Sequence, residues 1–383
     1  MQRMIPLSEP TITGCELEYL RQCLDGGWLS SAGPMVEEFE ARLAARAGRR
    51  HAVAVASGTA ALHLALVAAG VGRDDLVLTQ SFSFVASANS VSLAGAIPLF
   101  IDSDPATWNM SATALEAELA TLRPEGDGLV HPASGRRVAA VMPALILGLT
   151  GDIAALQSLA RRYRIPLVVD AAEAVGAQHC GRPAESFGDI ACLSFNGNKV
   201  MTTGAGGAVL TDDAELATIC RHLSTQAKAG ALDHVHDRAA FNYRMAAVNA
   251  AVGLAQLDAL EDFLAAKENI AARYREAFAD LSGVTCMPLS KPDRLWLFSI
   301  LVEDGRSAVE RLNAAGIGAR RLWRPIHLQP PYADCPRQNG ELVVAERLYA
   351  EGLSLPSSVG LSAKNQECVI MAIRQSVSQS GTQ

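Results

Sequence analysis

The chain has 383 residues, of which 49% are hydrophobic and 19% charged, a composition typical of a folded globular protein and not of a disordered or fibrous one. Its length exceeds that of one usual domain, so we expect two. With 33 basic and 40 acidic residues the net charge is −7, which disfavours general electrostatic binding of nucleic acid or anionic membranes. Any phosphate must therefore be held locally.

Membrane, secretion and metal signals are weak. No apolar run approaches the ~20 residues of a membrane helix, and the first ten residues lack the pattern of a signal peptide. The eight cysteines form no CxxC pair, so neither a zinc site nor a disulfide framework is indicated. The sequence predicts a cytoplasmic protein with reduced cysteines, no metal site, and no nucleic-acid or membrane partner.

The first two thirds of the chain alternate short apolar runs with longer amphipathic stretches, which indicates βαβ units on a mostly parallel sheet. Strands are predicted at His51–Val55, Leu76–Thr79, Ile97–Ile101, Val138–Pro143, Leu167–Val169, Ile190–Ser194 and Ala208–Thr211. Helices are predicted at Val36–Ala47, Ala60–Ala69, Ser83–Leu93, Thr113–Leu122 and Ile153–Tyr163. These elements make a seven-stranded, doubly wound α/β sheet.

The pattern changes after Val248. The alanine- and leucine-rich residues 249–278 predict one long connecting helix, and a strand at Leu295–Val302 and a helix at Ser307–Ala315 follow it. We therefore divide the chain into a large domain, residues 1–248, and a connecting helix with a smaller α+β domain, residues 249–383. The polar stretch Ser376–Gln383 is predicted to be a loose tail.

A turn of small residues, Ser57-Gly58-Thr59, separates a predicted strand from a predicted helix. Backbone N–H groups and hydroxyls at such a turn can bind a phosphate at the helix N-terminus. The alternative is that Ser57 is an ordinary helix cap, which is common after a strand.

Two charged residues lie where open α/β sheets bind ligands. Asp170 ends a predicted strand, and it is either in a buried ion pair with an arginine or in a salt bridge to a protonated cofactor nitrogen. Lys199 follows another strand in a loop rich in Gly, Thr and Asn, a setting that favours Schiff-base chemistry. A lone loop lysine is otherwise usually exposed to solvent.

Four separated motifs resemble one family. They are Ser57-Gly58-Thr59, Asp170-Ala171-Ala172-Glu173, the run of residues 194–199 (Ser-Phe-Asn-Gly-Asn-Lys), and the run of residues 241–245 (Phe-Asn-Tyr-Arg-Met). In this order and spacing they resemble the pyridoxal-phosphate-dependent sugar aminotransferases of the DegT/DnrJ/EryC1/StrS family, over nearly the whole chain. The resemblance implies the fold type I of pyridoxal-phosphate transferases, similar to aspartate aminotransferase, and an obligate homodimer with shared active sites.

The family's residues map onto this chain position by position. Lys199 would form the Schiff base with pyridoxal phosphate and carry protons, and Asp170 would keep the pyridine nitrogen protonated. Phe84 would stack on the cofactor ring, although alone it could equally be a core aromatic. Asn242 would reach the phosphate of the neighbouring subunit. The implied cofactor-binding set is Ser57, Gly58, Thr59, Phe84, Asp170, Glu173, Ser194, Asn198, Lys199 and Asn242.

The implied reaction is ping-pong transfer of an amino group, with glutamate as donor, to C4 of a nucleotide-linked 4-keto-6-deoxy sugar used in surface-glycan biosynthesis. Residues 194–199, 224–228, 321–329 and 355–358 resemble the subgroup that aminates UDP-linked 4-keto-6-deoxy-N-acetylhexosamines, so a UDP-linked N-acetylhexosamine is the favoured substrate. A GDP-perosamine-type synthase is the alternative substrate class, and a catalytically silent regulator is the alternative of another kind.

Five residues are candidates for substrate binding, because they offer positive charge, hydrogen-bond donors or an aromatic face. They are Lys228, Arg244, Trp323, Arg324 and His327. His327 could instead be a structural histidine, and Lys228 and Arg244 could be solvated or ion-paired surface residues.

Four positions depart from the family pattern. Ala205 replaces a frequent Glu, and Leu145 and Thr150 replace a His and a Pro. Glu173 stands where many relatives have Gln or His. A carboxylate there would be repelled by the cofactor's phenolate unless it is protonated or turned away, so its role is open.

Overall fold

The structure is a computed structural model that describes residues 4–126, 128–230, 234–291, 293–338 and 340–380. Within these ranges the helices are α1 (Glu16–Asp25), α2 (Pro34–Ala47), α3 (Gly58–Ala68), α4 (Ala86–Leu93), α5 (Ala112–Leu119), α6 (Ile153–Tyr163), α7 (Ala214–Ser224), α8 (Ala247–Asp258), α9 (Leu260–Phe278), α10 (Gly305–Ala314), α11 (Val343–Glu351) and α12 (Ala363–Ser380). The strands are β1 (His51–Val55), β2 (Leu76–Gln80), β3 (Ile97–Ile101), β4 (Arg123–Glu125), β5 (Gly128–His131), β6 (Arg136–Met142), β7 (Val168–Asp170), β8 (Gln178–His179), β9 (Arg182–Pro183), β10 (Ile190–Ser194), β11 (Gly207–Thr211), β12 (Thr285–Cys286), β13 (Ser299–Leu301), β14 (Arg320–Arg321) and β15 (Gly352–Ser354).

The central sheet contains all seven predicted strands, in the order β3-β2-β6-β7-β10-β11-β1. β2 pairs in parallel with β3 and β6, and β7 pairs in parallel with β10. Parallel bridges from Val141 to Leu167 and from Ala144 to Asp170 join β6 to β7. β11 is antiparallel to both of its neighbours, β1 and β10. The predicted α/β class with a mostly parallel sheet is therefore confirmed.

The sheet separates two hydrophobic cores. In β1, Ala52 and Ala54 belong to one core, whereas Val53 and Val55 belong to the other, because alternate side chains of a strand point to opposite faces. Helix α3 belongs almost wholly to the second core, which explains why its sequence is apolar on nearly every side. Its N-terminus is thereby fixed at the carboxyl ends of the parallel strands.

The carboxyl-terminal third differs from its prediction in three details. The single helix predicted over residues 249–278 is interrupted at Ala259, between α8 and α9. Of the strand predicted at Leu295–Val302, only Ser299–Leu301 forms a strand, β13. It lies in an antiparallel sheet whose strands follow one another as β12-β13-β15-β14. The predicted loose tail is wrong as far as Ser380, since α12 extends to that residue. The domain boundary after residue 248 stays a prediction.

The described residues contain neither a membrane-spanning helix nor a metal-binding cluster. None of their helices is long and apolar enough to cross a membrane. They also contain no cluster of three or more His, Cys, Asp or Glu residues arranged to hold a metal ion. All eight cysteines are free thiols.

Candidate active site

A cavity of about 300 Å³ opens at the carboxyl ends of β7 and β10, beside the N-terminus of α3. This is the edge at which open α/β sheets bind ligands. Ten of the residues selected from the sequence line it: Ser57, Gly58, Thr59, Phe84, Asp170, Glu173, Ser194, Asn198, Lys199 and Trp323. The fold therefore brings three separated motifs and one small-domain residue to a single site.

The turn before α3 has the geometry of a phosphate cradle. Ser57 is the N-cap of α3, and its Oγ accepts a hydrogen bond from the Ala60 N–H at 3.1 Å. The N–H groups of Gly58 and Thr59 lie in the first helical turn and have no partner within the helix. A Cβ on Gly58 would lie 2.7 Å from the Ser194 Cβ, so only glycine allows this approach. Ser57 thus caps the helix and leaves the neighbouring amides available for a phosphate.

Asp170 is a buried carboxylate that forms no salt bridge with any described residue. Its Oδ2 accepts a hydrogen bond from the Ser87 hydroxyl at 2.7 Å, and its Oδ1 accepts one from the Ala172 N–H at 3.2 Å. Among the described residues it has no salt bridge, so the expected arginine alternative is wrong. Burial raises the pKa of Asp170, and these hydrogen bonds and the charge of Lys199 oppose that rise only in part. A cation that arrives with a ligand would complete this site.

Lys199 lies in the loop between β10 and β11, and its side chain is 12% exposed. Its Nζ donates a hydrogen bond to Oε1 of Glu173 at 3.2 Å. Glu173 is itself buried, and its Oε2 accepts a hydrogen bond from the Leu147 N–H at 2.8 Å. Burial raises the pKa of Glu173, and the positive charge of Lys199 is the main opposing effect. The cavity therefore holds two buried carboxylates around one amine.

Aromatic side chains form two parts of the cavity wall. Phe84 is 55% exposed, so it is not the core aromatic of the alternative interpretation. On the other side the rings of Trp296 and Trp323 stack with centroids 6.3 Å apart and an interplanar angle of 16°. Sequence reasoning selected Trp323 and missed Trp296, whose ring centroid lies 3.9 Å from the Lys199 Nζ.

Sequence reasoning also missed Arg320, the residue before the selected 321–329 motif, which lines the cavity. Nothing local in the sequence identifies it or Trp296, because both reach the cavity from the carboxyl-terminal third, at or next to its antiparallel sheet. Of the family departures, Ala205 and Leu145 line the cavity as well, whereas Thr150 bonds to Asp293 and lies outside the lining.

Five predicted site residues do not line this cavity. His327 is fully buried and lies 2.6 Å from the Ser81 Oγ and 3.1 Å from Glu346, which is the environment of a structural histidine. Arg244 pairs with Glu40 at 3.3 Å. The remaining three, Lys228, Arg324 and Asn242, are exposed. Their roles in substrate or cofactor binding stay predictions.

Pyridoxal phosphate fits the residues present. The α3 turn and the Ser194 hydroxyl provide donors for a phosphate, and the glycine at position 58 allows the Ser194 side chain to approach that turn closely. Asp170 provides an unpaired carboxylate for a protonated ring nitrogen, and Lys199 provides a primary amine in the same cavity.

Comparisons with known proteins agree with a site for pyridoxal phosphate. The sequence profile of the DegT/DnrJ/EryC1/StrS aminotransferase family matches residues 10–374. A GDP-perosamine synthase of Caulobacter vibrioides is 37% identical over 97% of this chain and 98% of its own length. The aminotransferase TlmJ of Streptoalloteichus hindustanus superimposes with a TM-score of 0.89 at 30% identity, covering 99% of this chain and 100% of its own. A family aminotransferase from Brucella abortus gives a TM-score of 0.87 at 32% identity, covering 94% and 95%.

The fold and the site define a pyridoxal-phosphate-dependent transferase of fold type I. The chain belongs to the DegT/DnrJ/EryC1/StrS aminotransferase family, and it is a pyridoxal-phosphate-dependent sugar aminotransferase. The sequence-based prediction of enzyme class and cofactor is therefore confirmed.

Proposed function

We infer that the protein transfers an amino group from L-glutamate to C4 of a nucleotide-linked 4-keto-6-deoxy sugar, in a ping-pong reaction that serves surface-glycan biosynthesis. The observation that carries this proposal is the placement of the Lys199 amine and the unpaired Asp170 carboxylate in one cavity beside the α3 turn. A cytoplasmic location belongs to the same proposal.

The residues that line the cavity have separate roles in the proposed amino transfer. When bound, pyridoxal phosphate supplies an electron sink for the carbon that carries the amino group. Asp170 keeps the ring nitrogen protonated, while the α3 turn, Thr59 and Ser194 bind the phosphate. Phe84 covers one face of the ring. The Lys199 amine would act as the acid and base that takes a proton from the donor carbon and gives it up again, in both half-reactions.

The identity of the nucleotide is a choice between two candidates. Three relatives named GDP-perosamine synthase are 37%, 34% and 32% identical to this chain, which favours a GDP-linked 4-keto-6-deoxy sugar. The subgroup resemblance of residues 194–199, 224–228, 321–329 and 355–358 favours a UDP-linked N-acetylhexosamine instead. We place the GDP-linked sugar first, since these relatives align over at least 94% of the chain.

A homodimer with shared active sites is part of the proposal. Asn242 is exposed and lies outside the cavity of its own chain, so its proposed phosphate contact requires a second subunit. Arg244 and Lys228 lie outside that cavity as well, and we assign them to the substrate phosphates of the neighbouring subunit. Deletion of the Asn242 amide in N242A should weaken cofactor binding in a mixed dimer only at one of the two sites.

The test of the proposed cofactor link is the absorbance spectrum of the purified protein. We expect a visible band that borohydride bleaches, and we expect Lys199→Ala to lack that band and to lose at least about 10⁴-fold in turnover. Lys364→Ala, which removes an exposed lysine of α12, is the control and should keep both. A protein that binds no cofactor after reconstitution would leave only the regulator interpretation.

The substrate is tested by incubating the enzyme with glutamate and each 4-keto sugar, linked to GDP, UDP or dTDP, and measuring 2-oxoglutarate. Turnover with the GDP-linked sugar alone supports the first choice. Turnover with the UDP-linked N-acetylhexosamine alone selects the second candidate, and no turnover with any of the three rejects C4 amination.

A further inference from the structure

Trp296 forms part of the cavity that sequence reasoning did not anticipate. It precedes β13 in the small domain, and only 2% of it is exposed. The face of its indole ring lies over the amine of Lys199, with 3.9 Å between the Nζ and the ring centroid. An ammonium over an indole face is attracted by the electrons of the ring, and more strongly when water is excluded.

The ring of Trp296 is fixed in this position. Its Nε1–H donates a hydrogen bond to the backbone oxygen of Asn198 at 2.7 Å, one residue before Lys199. Its backbone oxygen accepts a hydrogen bond from the buried Lys267 Nζ at 2.8 Å, and its ring stacks on Trp323. These contacts leave the indole little freedom to rotate away from the amine.

Glu173 faces the same amine from the large domain. Its Oε1 accepts the hydrogen bond of the Lys199 Nζ, and its Oε2 accepts that of the Leu147 N–H. The Leu147 oxygen in turn accepts a hydrogen bond from the Trp296 N–H at 3.1 Å. The contacts therefore form a closed ring through Lys199, Glu173, Leu147 and Trp296.

Leu147 completes this ring with an unusual backbone. Its φ of 58° is in the left-handed region, which a leucine occupies at a cost of about 1 kcal/mol or more. At the next residue, Gly148, a Cβ would lie 1.5 Å from the Arg294 oxygen, so this turn is pressed against the small-domain segment before Trp296. Packing between the two domains thus maintains a strained residue at the point that links Glu173 to Trp296.

We propose that Trp296 and Glu173 together form a holding site for the Lys199 ammonium, occupied when the amine is protonated and not bonded to the cofactor. The inference rests on the proposed Schiff-base role of Lys199. The neutral amine takes a proton from the substrate carbon, so a C–H bond breaks, an N–H bond forms, and the electron pair passes to the cofactor. The ammonium then returns the proton to the cofactor carbon, which uses the same electron pair. The holding site stabilises the ammonium between these two transfers and keeps it in the cavity.

The first experiment uses the full-length, cofactor-free protein and needs no turnover. Pulse labelling with acetic anhydride over a range of pH, followed by mass spectrometry of the Lys199 peptide, reports how readily the amine loses its proton. We expect the pH midpoint of Lys199 labelling to fall by about 1 unit in W296L and in E173Q. W296F keeps an aromatic face and should stay near the wild-type midpoint. Exposed Lys364, labelled in the same samples, is the internal control.

The pH midpoint of Lys199 labelling distinguishes stabilisation of the ammonium from easier access of the reagent to the cavity. A smaller side chain at position 296 can raise the maximum labelling rate without moving the midpoint, whereas E173Q changes the charge at nearly constant size. Both W296F and E173Q keep the packing close to that of the wild type, and their urea midpoints check that they are folded.

The second experiment measures the glutamate half-reaction of the loaded enzyme with α-deuterated donor. We expect W296L to slow this step about tenfold, with a larger deuterium isotope effect and little change in KM, and W296F to recover most of the rate. Unchanged labelling midpoints in both W296L and E173Q would overturn the holding site, even if the enzyme is a transaminase. A borohydride-bleached band that persists in K199A would instead reject the proposed function itself.

Discussion

The two edges of the central sheet each bury a charged side chain, but they differ in whether that charge has a partner of opposite sign. At the amino edge of the parallel strands, the Arg49 guanidinium donates to Asp212 at 2.9 Å and to the backbone oxygens of Glu185, Phe187 and Gly188. At the carboxyl edge, Asp170 has two hydrogen bonds and no counter-ion among the described residues. A buried charge is costly unless it is paired, so the unpaired one marks the edge that requires a ligand.

Cavity volume alone would place the ligand-binding site at the wrong edge of the sheet. The amino edge carries a cavity of about 880 Å³ lined by Arg49, Arg50 and Arg164, which is larger than the one around Lys199. However, its buried charge is already neutralised from within the chain. The satisfaction of the buried ions, more than the volume beside them, therefore separates the structural edge from the functional one.

Removal of the Asp170 charge is the strongest test of the difference between the two edges of the sheet. We expect D170N to lower turnover about 10³-fold, because an amide cannot keep the ring nitrogen protonated in a water-excluded site. Since the change removes a buried charge that lacks a counter-ion, the urea midpoint of the cofactor-free protein should not fall. D189N is the control, because Asp189 is a carboxylate at the opposite edge that accepts the Leu167 N–H. Loss of stability with normal turnover in D170N would contradict the assignment.

Removing the charge at the other edge should have the reverse effect. We expect R49M to lose about 4 kcal/mol of unfolding free energy, because buried carbonyls lose their donor and Asp212 loses its partner. The folded fraction should keep its turnover. The neighbouring Arg50 lines the same cavity, but it is exposed and its guanidinium forms no hydrogen bond or salt bridge within the described part of the chain, so R50M should be nearly neutral. Paired urea titrations and assays of both variants measure the difference.

Much of this arrangement could be predicted from the sequence. The seven central strands are short apolar runs buried on one or both faces, and each such run is visible without knowledge of its neighbours. The break at Ala259 could not be predicted, because an alanine flanked by Asp258 and Leu260 carries no helix-ending signal.

The site was predictable only where its residues lie in local motifs. Lys199 and Asp170 follow strands in recognisable runs, and the fold brings both to one cavity. Trp296 and Arg320 come from the carboxyl-terminal third, at or next to its antiparallel sheet, so their approach depends on tertiary packing that no spacing encodes. The absence of an arginine beside Asp170 was equally invisible, since counter-ions of buried charges come from distant parts of the chain.

One side chain at the amino edge departs from the pattern of satisfied charges. The Glu185 Oε2 has no hydrogen-bond partner among the residues that the structure describes, and burial raises the pKa of Glu185 to about 7. The folded state then holds this proton more tightly than the unfolded state, so the stabilising contribution is complete below about pH 4.5 and is lost as the pH rises to about 7.

Replacement of Glu185 by glutamine should make the unfolding free energy depend less on pH. Relative to wild type, E185Q should gain at most about 3 kcal/mol of unfolding free energy between pH 4.5 and pH 8. Urea titrations at a series of pH values measure this gain, with E276Q, a change at an exposed residue of α9, as the control. A constant difference between E185Q and wild type across this range would show that Glu185 does not titrate there.

The smallest expected effect concerns the hydroxyl that supports Asp170. Ser87 donates its hydrogen bond to a carboxylate whose pKa burial raises, so S87A should raise that pKa further and weaken the charged form that the cofactor requires. One charge-assisted hydrogen bond is worth about 1.5 kcal/mol, which corresponds to roughly tenfold weaker cofactor binding in an absorbance titration. S90A removes a buried hydroxyl from the same helix that, among the described residues, bonds only to the Ser87 backbone oxygen, and it should leave the affinity unchanged. Equal losses in both variants would mean that helix α4, and not the charge state of Asp170, controls the affinity.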